Sequence, residues 1–146
     1  MQEQNKVVSK SEKQTLDLAS NLARQYPKHL VLLYGPLGAG KTLFARGFAA
    51  GINITKTVSS PTYTLMNEYR DKDRCMYHLD LYRINHHEEV IDLGLYEVVD
   101  AGFPCLIEWP ERVAELTKLP HLYVKIVPDE IDPENCRIIS WQLKKE

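Results

Sequence analysis

An α/β sandwich with a mixed sheet, parallel at its centre and antiparallel at its margins, follows from three features of the sequence. His29-Leu-Val-Leu-Leu-Tyr34 and Pro104-Cys-Leu-Ile107 are short continuous apolar runs, which suit strands covered on both faces. Stretches with helical periodicity alternate with these runs. The tail, residues 122–127 and 136–143, alternates apolar and polar residues as half-exposed antiparallel strands do.

Each element has a local reason. Ser11 followed by Gln14 resembles a capping box, and the stripe Leu18, Ala19, Leu22, Ala23, Tyr26 runs up to Pro27, so 11–25 reads as an amphipathic helix. Pro27 and Gly35 bound the apolar strand at 29–34. A glycine-rich turn and a helical stretch over 41–50 follow. Residues 64–69 and 75–82 flank the polar turn Asp71-Lys-Asp-Arg74 and predict a β-hairpin. Residues 86–93 read as a helix and 104–107 as a buried strand.

The chain has 146 residues, 18 Lys and Arg against 20 Asp and Glu, and 44% hydrophobic residues, the profile of one globular domain spanning 1–146. At this length a fold buries roughly 70% of the surface its unfolded chain exposes, so it needs no staple. Cys75, Cys105 and Cys136 form no Cys-x-x-Cys pair and are odd in number, which argues against a disulfide framework or a zinc site and for a reducing compartment. No signal-peptide pattern and no apolar run of about 18 residues is present, so the expectation is a cytoplasmic protein without membrane contact. A net charge of −2 argues against a surface that grips long nucleic acid on its own. Any RNA is then expected to be held by a partner.

The strongest chemical signal is Gly35-Pro-Leu-Gly-Ala-Gly40-Lys41-Thr42, which satisfies G-x-x-x-x-G-K-[ST] between an apolar strand and a helix. Gly35, Gly38 and Gly40 let backbone N–H groups turn toward a polyphosphate, and the helix beginning at Lys41 aims its positive end at the same place. Lys41 suits the β- and γ-phosphates, and the Thr42 hydroxyl is a hard oxygen ligand for Mg2+. Pro36 has no N–H, so the donors are expected from Leu37, Gly38, Ala39, Gly40, Lys41 and Thr42. The expected ligands are therefore a nucleoside triphosphate and Mg2+, on a P-loop NTPase-like three-layer sandwich. Asn-Lys-x-Asp and Asp-x-x-Gly, the strings of guanine-specific switches, are absent, which favours ATP.

Hydrolysis also needs a carboxylate at the end of a neighbouring strand. Glu108 follows Cys105-Leu-Ile107, and Asp80 follows Met76-Tyr-His-Leu79; ligands collect outside the carboxyl ends of such strands, so both qualify. His78, His86 and His87 have no metal-ligand partner at suitable spacing and read as surface or packing residues.

Taken together, residues 35–42, Ser60-Pro-Thr-Tyr63, His78-Leu-Asp-Leu-Tyr-Arg83, Leu93-Gly94 and Ile107-Glu-Trp-Pro-Glu111 resemble the bacterial TsaE family over about residues 11–127. These are small ATPases required for threonylcarbamoylation of adenosine 37 in tRNAs that read ANN codons. Pro36 departs from the family, which usually has an acidic residue there; altered loop stiffness, not lost binding, is the expected result. The resemblance implies that Thr42 and Glu108 are Mg2+ ligands and that Asp80 is a second acid acting on the water or the metal shell. It also implies that Thr62 is a switch threonine sensing the γ-phosphate, with 57–64 ordering on ATP, although Pro61 alone would explain a turn there. Ser9 to Glu12 and the loop between the last two strands are where it puts the adenine. Implied partners are TsaD-type and TsaB-type subunits, with tRNA reached through them and ATP turnover resetting the complex.

Trp109 and Tyr82 are candidates for partner contact or core packing, and Arg83 for phosphate stabilisation or a structural ion pair. Two other functions stay open. A small-molecule or nucleotide kinase would need an arginine-bearing lid, for which only 66–87, with Arg70, Arg74 and Arg83, is available. A binding module without hydrolysis is the third reading.

Overall fold

The computed structural model describes residues 4–61 and 64–145. Among them seven strands form one sheet: β1 (Asn5–Ser9), β2 (Leu30–Tyr34), β3 (Met66–Asp71), β4 (Arg74–Asp80), β5 (Cys105–Glu108), β6 (His121–Pro128) and β7 (Arg137–Lys144). The helices are α1 (Glu12–Gln25), α2 (Lys41–Gly51), α3 (His87–Asp92) and α4 (Leu95–Val99), with 3-10 turns at Pro110–Arg112 and Ala114–Lys118. The strand order is β1-β7-β6-β2-β5-β4-β3. The central pairings β6–β2, β2–β5 and β5–β4 are parallel, while β1–β7, β7–β6 and β4–β3 are antiparallel. The three-layer, P-loop NTPase-like architecture that the sequence predicts is the one observed.

Strand β2 shows why its sequence is apolar throughout. Val31 and Leu33 face a core shared with α1 and α2, where Phe44 and Phe48 are buried. Leu30 and Leu32 face a second core, which Val90 of α3, Leu95 of α4 and Leu116 close. Successive strand residues point to opposite faces, so a strand between two helical layers has no polar side to show.

Helix α1 starts as its cap dictates. Ser11 is extended and its side chain accepts from the Gln14 N–H at 3.1 Å, while Gln14 Oε1 accepts from the Lys10 N–H at 2.7 Å, one residue earlier than in a strict capping box. The buried face Ala19, Leu22, Ala23 then packs on α2. The approach is close because α2 offers Gly47 and Gly51 there. A Cβ on Gly47 would sit 2.6 Å from the Leu16 carbonyl oxygen, and one on Gly51 would sit 2.5 Å from that of Ser20. Ser20 Oγ uses the proximity to donate to the Gly47 carbonyl at 2.8 Å.

Several elements differ from expectation. Strand β1 and helix α4 were not expected, nor were the 3-10 turns. The hairpin is present, but its strands sit at Met66–Asp71 and Arg74–Asp80, joined by a two-residue turn in which Lys72 takes a positive φ of 61°. The three cysteines are free, and burial pushes the Cys105 thiol well above its ordinary range. Among the described residues no helix is long and apolar enough to cross a membrane.

Helix propensity alone would reward Gly47→Ala by up to about 1 kcal/mol. The collision with the Leu16 backbone outweighs that, so the substitution is expected to destabilise the fold by about 1–3 kcal/mol. Urea unfolding followed by circular dichroism reads the difference, and an unchanged midpoint would show that α1 and α2 can move apart without cost.

Candidate functional site

The phosphate-loop motif forms the turn between β2 and α2. Its glycines serve two needs. A Cβ on Gly35 would collide with the Ile126 carbonyl oxygen on β6, so that position demands close backbone approach. Gly38 and Gly40 instead take φ values of 75° and 107°, a backbone that side chains resist. The Ala39 N–H donates to the Pro36 carbonyl at 3.2 Å, and α2 begins directly at Lys41. Its first N–H groups have no carbonyl one turn earlier within the helix and point out of its end.

Around that end lies a cleft of about 320 Å³, lined by residues 37–43 with Ser60, Asp80, Glu108 and Trp109. Lys41, Asp80 and Glu108 are nearly buried, at 4%, 5% and 4% exposure. Lys41 Nζ donates to the Gly35 carbonyl at 2.6 Å and lies 4.0 Å from the centre of the Trp109 ring. Burial lowers its pKa, opposed by the nearby carboxylates of Glu108, Asp80 and Glu111. Trp109 reaches this place because it follows β5 in the left-handed region, at φ 58°.

The two carboxylates come from adjacent strands in register. β4 and β5 pair in parallel with Asp80 opposite Glu108 and His78 opposite Leu106, so all four share the face beneath α2. Thr42 Oγ1 donates to Glu108 Oε2 at 3.3 Å, and the Tyr82 N–H donates to Asp80 Oδ1 at 2.9 Å. A hydroxyl and a carboxylate oxygen converging at the helix N-terminus fit a hard divalent cation such as Mg2+ that takes much of its shell from phosphate and water. No cluster of three or more His, Cys, Asp or Glu side chains able to hold a metal occurs among the described residues.

A second cavity, about 250 Å³, adjoins the first and shares Ala39, Gly40 and Leu43 with it. Ser9, Ser11 and Glu12 line it from the loop before α1, and Glu134 and Asn135 from the loop between β6 and β7. Those are the two loops the family resemblance points to for the adenine. Arg137, which sequence reasoning missed, joins them: its Nε donates to the Ala39 carbonyl at 3.0 Å and Nη1 to that of Pro133 at 2.7 Å.

The rest of the expected set is divided. Thr62 lies outside the described residues. Its preceding loop is tied down, since Arg46 Nε donates to the Val58 carbonyl at 3.0 Å and the Tyr69 hydroxyl engages both Ser59 N and Ser59 O at 3.1 Å. Tyr82 stacks on Trp109 with ring centres 4.9 Å apart, and Arg112 lies over Tyr82. Arg83 is exposed and is not among the residues lining either cavity. The stretch a kinase lid would need is a sheet hairpin. Arg70 and Arg74 flank its turn, at the end away from Asp80, and Arg74 lines a separate 440 Å³ cavity at the opposite end of the parallel strands. Of the surface and packing readings of His78 the structure shows the second, with a partner the sequence did not suggest: it is fully buried, with Nε2 2.6 Å from Glu108 Oε2. Strand alternation from Asp80 was the signal that could have found it.

A family model described as threonylcarbamoyl adenosine biosynthesis protein TsaE matches residues 9–138. The tRNA threonylcarbamoyladenosine biosynthesis protein TsaE of Bacillus subtilis is 44% identical over 101 residues, which are 69% of this chain and 61% of that protein, under two thirds of its length. The protein of the same description from Rickettsia bellii is 35% identical over 140 residues, covering 93% of this chain and 95% of that one. Among solved structures, the crystal structure of Bacillus subtilis YdiB superimposes with a TM-score of 0.80 at 30% identity, over 98% of this chain and 87% of that chain.

Two buried carboxylates facing one lysine are an electrostatic burden on the fold. Glu108→Gln keeps the shape and an acceptor oxygen, so it is expected to leave stability unchanged or raise it by about 0.5–2 kcal/mol. Thermal and denaturant unfolding check this; a loss above about 1 kcal/mol would show that the charge itself holds the site together.

Proposed function

The chain belongs to the TsaE family of threonylcarbamoyl adenosine biosynthesis proteins, and on that premise we propose that it is an Mg2+-dependent ATPase acting as a nucleotide switch in tRNA threonylcarbamoylation at adenosine 37. It does so as one domain, residues 1–146, in the cytoplasm. The observation that carries this reading is the convergence of one helix N-terminus, Lys41, Thr42, Asp80 and Glu108 on a single cleft.

In this reading ATP lies with its phosphates at the start of α2. Backbone N–H groups from Leu37, Gly38, Ala39, Gly40, Lys41 and Thr42 supply the cradle, with Ala39 giving up its 3.2 Å bond to Pro36. Lys41 leaves the Gly35 carbonyl and the Trp109 ring for the β- and γ-phosphates; its burial strengthens that attraction by keeping water away. Thr42 and Glu108 would hold Mg2+, which would supply charge neutralisation for the phosphoryl oxygens. Asp80, one strand over, orients the attacking water. The nucleoside end occupies the adjoining cavity between the Ser9–Glu12 loop and the β6–β7 loop.

The switch is the 57–64 segment. Its described part already touches the cleft through Ser60 and α2 through Arg46, so a threonine at 62 that senses the γ-phosphate would pass its state to both. TsaD-type and TsaB-type subunits are the proposed partners, and the near-neutral charge of this chain supports leaving tRNA to them. A phosphoryl acceptor would need the hairpin to open as a lid, and its pairing with β5 through β4 opposes that.

Lys41→Ala, added back to a reconstituted modification reaction, is expected to support at most a single round and to lower multiple turnover by 100-fold or more. Undiminished multiple turnover would sink the switch role.

A further inference from the structure

We propose that His78 is a positioning residue for Glu108, holding its carboxylate at the angle from which it and Thr42 take Mg2+. This rests on the Mg2+–ATP reading of the cleft and names a residue that serves the site without touching nucleotide.

The geometry is specific. His78 is fully buried in the middle of β4, and in that register Leu106 is its partner on β5, which leaves Glu108 as the diagonal neighbour on the same face. The 2.6 Å contact between Nε2 and Oε2 is short and falls on a charged acceptor, whereas the Thr42 contact with the same oxygen is 3.3 Å. Both land on Oε2, so Oε1 is left out of both. A glutamate has three rotatable side-chain bonds, and Asp80 stands opposite it with the same charge, pushing it away. A fixed N–H on the neighbouring strand counters both the freedom and the repulsion.

The other ring nitrogen identifies the donor. Nδ1 is buried and has no hydrogen-bond partner among the described residues. A hydrogen there would be an orphaned buried donor, which costs more than an unpaired lone pair at the edge of an aromatic ring. The hydrogen therefore sits on Nε2, where it donates to Glu108. Such a partner to a metal-binding carboxylate typically changes metal affinity by about 10- to 100-fold when lost.

The test compares three substitutions in the full-length protein. His78→Leu fills the space without a donor; His78→Asn keeps a polar amide that stops at the level of Nδ1; His78→Gln carries an amide N–H at about the reach of Nε2. Titrating Mg2+ against protein with bound ATP, by calorimetry and by turnover, gives the half-saturating concentration. His78→Leu and His78→Asn are expected to raise it by about 10-fold or more, with ATP affinity in EDTA unchanged, and His78→Gln to stay within about threefold of wild type. Wild-type Mg2+ dependence in either donor-less variant that folds, or an equal loss in all three, would overturn the assignment. Glu108→Gln runs beside them: if it too shows wild-type Mg2+ dependence, the Mg2+–ATP reading fails and this one with it, whereas an impaired Glu108→Gln beside a normal His78→Leu defeats the role of His78 alone.

Discussion

The parallel, in-register pairing of β4, β5 and β2 is the constraint on which the rest of the molecule rests. It ends three strands on one line beneath the start of α2, and period-two alternation then decides what stands there. On β4 the residues facing α2 are Met76, His78 and Asp80, and on β5 they are Leu106 and Glu108. Apolar positions inside the sheet thus give way to acids at its carboxyl edge. A slip of one residue in either strand would send Glu108 or Asp80 to the opposite face, into the layer closed by α3 and α4. Site geometry and core packing are therefore one specification, because the same shift would bury a charge in an apolar core.

The glycines of α2 belong to the same logic. The loop can present a helix N-terminus over the strand ends only if α2 lies low on the sheet, and α1 must then cross it closely to cover the first core. Gly47 and Gly51 permit that approach, Phe44 and Phe48 fill the space below, and Gly35 lets the loop pass against Ile126 on β6. The electrostatic cost is concentrated in one place. Asp80 and Glu108 face each other, one buried lysine stands near them, and the imidazole N–H and the Thr42 hydroxyl carry part of the remainder. Such an arrangement is poor for stability and good for meeting a cation and a polyanion together, which is the usual relation between a site and its fold.

What the sequence disclosed and what it hid follow from how local each signal is. The phosphate loop and its helix are read from eight consecutive residues, β2 from an apolar run between Pro27 and Gly35, and the hairpin from a polar turn between two β-rich segments. Strand β1 is five residues, Asn5-Lys-Val-Val-Ser9, mostly exposed, and exists because β7 pairs with it from the far end of the chain. No local pattern announces that. Helix α4 is separated from α3 by Leu93 and Gly94, and the glycine hides it while supplying the left-handed cap from which it starts. Asp80 and Glu108 are visible as strand-end acids, but metal-ligand spacing along the chain says nothing of His78, whose partner lies one strand away. Arg137 was invisible for the same reason, since it reaches the loop across ninety-eight positions.

The size of the cleft bears on the division of labour. The cleft at the start of α2 and its neighbour share Ala39, Gly40 and Leu43, and their other walls come from the loop residues themselves, the start of α1, the β6–β7 loop, Ser60 and the ends of β4 and β5. The 440 Å³ cavity lies at the opposite end of the parallel strands, among the ends of α1 and α2 and the β3–β4 turn, and carries none of the motif residues. On the side of the cleft away from that cavity stand Ser60 and Trp109, with Tyr82 packed against Trp109. There the surface is aromatic and cationic: Arg112 lies over Tyr82, Tyr82 over Trp109, and Trp109 against Lys41. In contact in that order, these four side chains run from the lysine of the phosphate loop to the exposed Arg112. Displacing Tyr82 would therefore disturb Trp109 and, with it, the ring face against which Lys41 Nζ rests.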